Sequence, residues 1–407
     1  MTEVRFNKAF TQQEPLPEKA IARAVEVMQS GRLHRYNVVD GETSEAAALE
    51  RDFAGYMGQQ YCLACASGGY AIHIALKAAG VARGDRVLTN AFTLAPVPGA
   101  IDNAGAIAVL VEIDDNYCVD LEHLEACMRK TNARYFLMSH MRGHIADMHA
   151  VVALCKKHEV ILIEDCAHTM GARFDDVLSG TFGQVACFST QTYKHMNSGE
   201  GGFVTTNDPQ VMARATVYSG SYMLYDRHGT VPPTDTFADI KLNTPNYSGR
   251  MDNLRAALLR VQLEHLNDNC ERWNKRYREL ECVLATSNRI TLPVRSTQES
   301  FVGSSLQFRI NDLAPEEATA FIAACAKRGV EVKWFGASDP HGFTSRYDSW
   351  QYLPELPELP NTLAILSNTF DVRIPLTFTP EDLRLIGQII CEASSCDATQ
   401  RQFGAAP

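Results

Sequence analysis

Between residues 14 and 206 the apolar positions switch repeatedly between a helical and a strand period. Ile21, Val25 and Met28 recur at helical spacing before Gly31, so residues 14–30 read as a helix. Residues 41–57 read as a second, with Leu49 and Phe53 four apart. A small apolar strand at 61–66 runs into Ser67-Gly68-Gly69 and a helix that continues to Ala79. Strands then recur at 86–89, 108–111, 135–139, 160–164, 185–188 and 203–206, the earlier ones separated by helices at 96–104, 121–130 and 148–158. This alternation predicts an α/β fold whose mostly parallel sheet is covered on both faces.

The pattern stops near residue 215. Residues 218–246, rich in Gly, Pro and Tyr, read as a long loop, and 252–281 as one long amphipathic helix. A strand at 306–310, a helix at 315–328, a Pro-rich stretch at 353–360 and a helix at 380–391 make a smaller α+β unit. The expected division is a large domain over 1–250 with an N-terminal helical segment, the long helix and small C-terminal domain over 251–394, and a disordered tail over 395–407.

Composition narrows the function classes. A net charge of −10 argues against a nucleic-acid surface. No run approaches the roughly 18 apolar residues of a membrane span, and the first residues lack a signal-peptide pattern. The twelve cysteines are scattered, and Cys62-x-x-Cys65 has no second pair or His cluster to complete a zinc site. Reduced thiols in a cytoplasmic protein, without a metal, are the expectation.

The chemistry concentrates in FSTQTYKHMNSGEGGFVTT, residues 188–206. It reads as strand, loop, strand, with Lys194 on the loop beside a run of glycines. A desolvated lysine there can form a Schiff base with an aldehyde; a solvated lysine in a turn fits the same pattern. Three stretches suit the first reading. Ser67-Gly68-Gly69 opens a helix, where free N–H groups and the positive helix end favour a phosphate. Asp165 ends the aliphatic strand in Glu164-Asp165-Cys166-Ala167-His168, where open α/β sheets put ligands, and its carboxylate suits a pyridinium nitrogen. Ser189 offers a further phosphate contact.

In order, GRLHRYNVVDGETSEAAALERDFAGYMG, CLACASGGYAIHIALKAAGVARGDRVLTNAFT, VLVEIDDNYCVD, SHMRGHIADMHAVVALCKKHEVILIEDCAHTMGA, SGTFGQVACFSTQTYKHMNSGEGGFVTTND and SGRMDNLRAALLRVQLEHL resemble six collinear blocks of the DegT/DnrJ/EryC1/StrS sugar aminotransferases. Those are pyridoxal 5'-phosphate enzymes of the aspartate-aminotransferase fold. The resemblance implies that Lys194 carries the Schiff base and shuttles a proton, and that Asp165 pairs with the ring nitrogen. His168 would touch the ring's phenolic oxygen and Ala167 the ring face, with Ser67, Gly68, Gly69 and Ser189 around the phosphate. Four positions depart from the family pattern. Gly69 replaces a threonine. Leu94 stands where an aromatic usually stacks on the ring, with Phe92 a substitute nearby. Ser248 occupies the place of a partner-chain asparagine, with Asn246 as its substitute. Arg142, in His-Met-Arg-Gly, stands where many members have tyrosine, and its fork suits a substrate carboxylate or phosphate.

The resemblance further implies a homodimer with shared sites, no nucleic-acid or membrane partner, and a small-molecule donor and acceptor. Glutamate or glutamine would give its amino group to a keto or aldehyde sugar, a nucleotide sugar or a cyclitol. A dehydratase or lyase on the same cofactor, and a non-catalytic cofactor-binding regulator, are the alternatives.

Overall fold

The computed structural model describes residues 4–39 and 41–395; the rest of the expected tail, from 396, lies outside the described residues. Seven strands form the large sheet: β1 (Tyr61–Cys65), β2 (Arg86–Asn90), β3 (Ile107–Val111), β4 (Tyr135–Ser139), β5 (Ile161–Asp165), β8 (Val185–Ser189) and β9 (Gly202–Thr206). Their order is β1-β9-β8-β5-β4-β2-β3, and β9 alone runs against its neighbours. A minor sheet joins β6 (Arg173–Phe174), β7 (Val177–Leu178) and β11 (Glu299–Ser300). An antiparallel sheet further along the chain holds β10 (Ile290–Thr291), β12 (Ser305–Ile310), β13 (Lys333–Trp334) and β14 (Thr369–Arg373).

The helices up to α7 are α1 (Glu18–Ser30), α2 (Glu45–Met57), α3 (Gly68–Ala79), α4 (Pro96–Asn103), α5 (Leu121–Thr131), α6 (Met148–Lys157) and α7 (Pro209–Ser219). Those before α7 match the sequence reading within a few residues. In α2, Ser44 caps the first turn and Leu49 and Phe53 are fully buried. The Phe53 ring stacks on Phe203 at 4.3 Å and meets Phe188 edge-on at 5.2 Å, fixing β8 and β9 together. Phe53→Ala would cost about 3–5 kcal/mol, the usual result of emptying such a site.

Three readings change. Ile21, Val25 and Met28 of α1 point outward, 49%, 37% and 53% exposed, while Ala20, Ala24 and Val27 are buried. The alanines let α1 approach the helix at Asn253–Glu264 closely, which turns the larger side chains away. The single long helix is two, α10 (Asn253–Glu264) and α11 (Leu266–Leu284), broken at His265 (φ −106°, ψ 3°). The halves serve different layers: α10 packs on α1 and α2, and α11 on α14 (Pro380–Ser395). The stretch 218–246 is not uniformly irregular. It holds α8 (Tyr225–His228), a 3-10 turn at Thr234–Phe237 and α9 (Ile240–Asn243), with Tyr225 stacked on Phe237 at 4.0 Å. Of the last elements, α12 (Pro315–Lys327) was legible; α13 (Pro360–Ser367) and β14 were not.

Candidate active site

The carboxyl ends of β1, β4, β5 and β8 meet at one edge of the large sheet, where loops can reach a ligand without disturbing the ladder. There they enclose a cleft of about 530 Å³ lined by Ser67, Gly68, Gly69, Leu94, Ser139, Arg142, Asp165, Ala167, His168, Ser189 and Lys194, among others.

At one end Ser67 caps α3, its hydroxyl accepting from the Tyr70 N–H at 3.1 Å. As in any helix start, the first N–H groups, those of Gly68 and Gly69, have no partner within the helix. A Cβ on Gly68 would lie 2.6 Å from the Ser189 Cβ, so only glycine lets this turn close on β8. Gly202 is needed for the same reason, since its Cβ would strike the Ser67 backbone at 2.8 Å. The sequence reading did not single out Gly202. At Gly69 the nearest neighbour of a Cβ is Pro96 at 3.5 Å, an ordinary contact, so that glycine is not sterically required.

Asp165 is buried at the end of β5. Its Oδ2 accepts from Ser139 Oγ at 2.9 Å, and its Oδ1 accepts from the Ala167 N–H at 3.1 Å. Ser139 is itself held by Thr93 Oγ1 at 2.8 Å and by the Asn90 side chain, which bonds its N–H and C=O. Glu164, one residue earlier, accepts the N–H groups of Gly180, Phe182 and Gly183, anchoring the loop before β8. Asp165 is the carboxylate presented to the cleft.

Lys194 sits in the loop between β8 and β9, which is tied across its base by Thr190 N–H to Gly201 C=O and Thr192 N–H to Gly199 C=O. Its Nζ lies 2.8 Å from His168 Nε2. Burial, then the positive field of Arg142, bring the Lys194 ammonium down to about 7, with Asp165 opposing. Burial and Lys194 hold His168 well below the usual imidazole range, so it is neutral.

The remaining expected residues divide. Leu94 lines the cleft, but Phe92 does not: it is buried in a core cluster, edge-on to Phe335 at 4.9 Å. It is therefore not placed to stack on a ring in the cleft. Asn246 and Ser248 lie outside their own chain's cleft, exposed and bonded to each other at 2.9 Å. Arg142 does line the cleft, at left-handed φ 56° and 9% exposed. Sequence reasoning missed Arg373, at the end of β14, which also lines it; the 340–345 segment with Phe343, inside the 333–352 stretch expected to set specificity, lines it too. The alternating run Thr369–Arg373 was the available signal for that strand.

The residues fit pyridoxal phosphate. An anion cradle too tight for a Cβ at Gly68, a buried carboxylate and a desolvated lysine open onto one cleft. The sequence profile of the DegT/DnrJ/EryC1/StrS aminotransferase family matches residues 16–390. The chain belongs to that family. A pleiotropic regulatory protein of Geobacillus stearothermophilus is 35% identical over 236 residues, 57% of this chain and 58% of that protein. GDP-perosamine synthase of Caulobacter vibrioides is 30% identical over 247 residues, 60% of this chain and 63% of that one. These matches span less than two thirds of either relative. Solved structures share the fold over nearly the whole chain. 3-Amino-5-hydroxybenzoic acid synthase aligns with a TM-score of 0.80 at 24% identity, over 94% of this chain and 98% of that one. GDP-4-keto-6-deoxymannose-3-dehydratase aligns with a TM-score of 0.79 at 17% identity, over 94% and 100%.

Proposed function

We propose that the protein is a pyridoxal-phosphate-dependent aminotransferase that moves an amino group from glutamate or glutamine to a keto or aldehyde sugar, nucleotide sugar or cyclitol. The observation that carries this reading is the desolvated Lys194 amine sharing a cleft with the buried Asp165 carboxylate. The N–H groups of Gly68 and Gly69 and the Ser67 and Ser189 hydroxyls would hold the phosphate. Asp165, kept in place by Ser139, would hold a proton on the ring nitrogen, and His168 would face the ring's phenolic oxygen. When bound, the ring takes up the electron pair released at the donor's α-carbon. Lys194 Nζ is suited to removing the α-proton because, with its ammonium brought down to about 7, a large share of it is neutral at that pH. The relatives' names support a sugar-like acceptor, since they include GDP-perosamine synthase and L-glutamine:2-deoxy-scyllo-inosose aminotransferase of Micromonospora echinospora.

We also read the protein as a homodimer with shared sites. Asn246 and Ser248 would reach the partner's phosphate, and the outward apolar row of α1 needs a cover. No helix among the described residues is long and apolar enough to cross a membrane. The cysteines of the described residues are all free, which suits a reducing, cytoplasmic setting. One relative's name is that of a regulator, but the intact lysine and carboxylate favour turnover here.

The test is an absorption spectrum of the protein with pyridoxal phosphate. A visible band absent in Lys194→Ala, and discharged by glutamate or glutamine, is expected. A band that no amino acid discharges would favour a dehydratase or lyase, and no band would end the enzyme reading.

A further inference from the structure

The turn at Ser67-Gly68-Gly69 is held from two sides. Towards the sheet, Gly68 closes on Ser189 and Gly202 closes on Ser67. On its other side lies the segment 246–251, which runs antiparallel to the end of β1 through a bridge between Cys65 and Arg250. In that segment the Gly249 C=O accepts the Ala66 N–H at 2.8 Å, one residue before Ser67, and the Met251 N–H donates to Ala64 C=O at 3.3 Å. The Tyr247 and Gly249 N–H groups donate to Tyr218 and Ser219 C=O, at 2.8 and 3.0 Å, at the end of α7.

Tyr70 is where the turn and this segment meet. Its N–H donates to Ser67 Oγ at 3.1 Å, in the first turn of α3. Its hydroxyl donates to Tyr218 C=O at 3.1 Å. Burial pushes the phenol up, so the hydroxyl keeps the proton it donates. The ring lies so close to Gly249 that a Cβ there would be 2.0 Å from two ring atoms, and only glycine lets the ring rest in that place. The packing continues along α3. His73 stands 6.3 Å from Tyr70 and 5.5 Å from Tyr247, which stacks on Tyr218 at 5.4 Å. Tyr70 itself stands outside the cleft that its neighbours Ser67, Gly68 and Gly69 line.

The first N–H groups of a helix serve an anion only while they converge on one point. Two successive glycines have little conformational preference of their own, so the shape of this turn has to be imposed by what surrounds it. We propose that Tyr70 is a positioning residue for the cofactor's phosphate, seating the Ser67–Gly69 turn on the segment 246–251. The inference rests on the pyridoxal-phosphate reading of the cleft and adds to it a residue that touches neither cofactor nor substrate.

The test titrates the cofactor-free full chain with pyridoxal phosphate and with pyridoxal, which has the same ring and aldehyde but no phosphate, and follows the visible band. Wild-type protein should hold the phosphorylated ligand at least about 100-fold more tightly. Tyr70→Phe loses only the bond to Tyr218 and should weaken pyridoxal phosphate about 3- to 10-fold. Tyr70→Ala and Gly249→Ala should each weaken it about 10- to 100-fold, while pyridoxal changes by no more than about twofold in any variant. Adding Gly249→Ala to Tyr70→Ala should bring little further loss, because the new Cβ then meets no ring. Tyr70→Phe keeps the ring on Gly249, so it decides the matter even where melting curves show that an alanine variant fails to fold. Equal losses for both ligands would mean that Tyr70 supports the fold or Lys194 and not the phosphate, and would overturn the proposal. Variants without loss, or a wild type that holds both ligands alike, would overturn it too. If the wild type forms a band with neither ligand, the cofactor reading fails instead. Calorimetric titration with inorganic phosphate then decides: binding weakened by Tyr70→Phe supports the positioning role, and binding that is absent or unchanged ends it.

Discussion

Lys194 Nζ and His168 Nε2 stand 2.8 Å apart, brought together from two loops at the carboxyl edge of the sheet. A half-buried amine beside a neutral imidazole has no full negative charge in direct contact, so its ammonium form is disfavoured. With its midpoint near 7 rather than the ordinary value of about 10.4, Lys194 gains its neutral form as pH rises through 7. The rate of pyridoxal phosphate capture by the cofactor-free protein should therefore rise through about pH 7 and then level off. Stopped-flow absorbance checks this, and a midpoint near 10 would contradict it. The same shift makes the unfolded state hold more protons between about pH 7 and 10, so this lysine's penalty on folding is present below 7 and relieved as pH rises.

The two glycines of the cradle should behave oppositely. Gly68→Ala places a Cβ 2.6 Å from Ser189 and should force β8 and α3 apart, weakening cofactor binding at least about tenfold. Gly69→Ser has room beside Pro96 and adds a hydroxyl at the phosphate end. It should tighten the cofactor, and replacing a helical glycine with serine should stabilise the cofactor-free protein by about 0.5 kcal/mol at most. Cofactor titration and melting curves on both variants decide the matter.

Ser139 acts through Asp165. Ser139→Ala removes a hydrogen bond to a charged group, worth about 1.5–3 kcal/mol, and should lower turnover about tenfold while leaving Lys194 able to capture cofactor. Asp165→Asn removes the charge itself and should cost about 10²–10⁴ in turnover. Single-turnover measurements with glutamate separate the two; equal losses would mean that Ser139 does more than orient.

The outward apolar row on α1 tests the assembly. Val25→Glu puts a charge in its middle, between Ile21 and Met28. Light scattering should give twice 45.0 kDa for the wild type and a shift towards the single chain for the variant. A dimer indifferent to the change would put the interface elsewhere.

Much of this was legible in the sequence because the large sheet is built from local signals. Strands and the turns that follow them are close in sequence, so periodicity placed Ser67, Asp165 and Ser189 at or just past strand ends and Lys194 on the loop between two strands. What escaped depended on contacts distant in the chain. The outward roll of Ile21, Val25 and Met28 is set by alanines meeting α10, more than 200 residues away. Phe92 and Leu94 lie two apart, and only the packing of Phe335 decided which faced the cleft. Arg373 went unnoticed because the pattern revealed neither β14 nor its edge partner β13, although its other partner, β12, was read at 306–310.

Strand β9 runs against its neighbours, so the loop carrying Lys194 leaves β8 and returns beside it, with Ser189 paired to Gly202. The entropy of closing that loop is small, because its ends are held by adjacent rungs of one ladder. The lysine's mounting is in that sense self-contained. The 340–345 stretch and the end of β14 meet that loop at Tyr193, where Phe343 packs edge-on at 6.1 Å and Arg373 leans at 3.7 Å. Sequence change there bears on one side chain of the loop and leaves its ladder anchors in place.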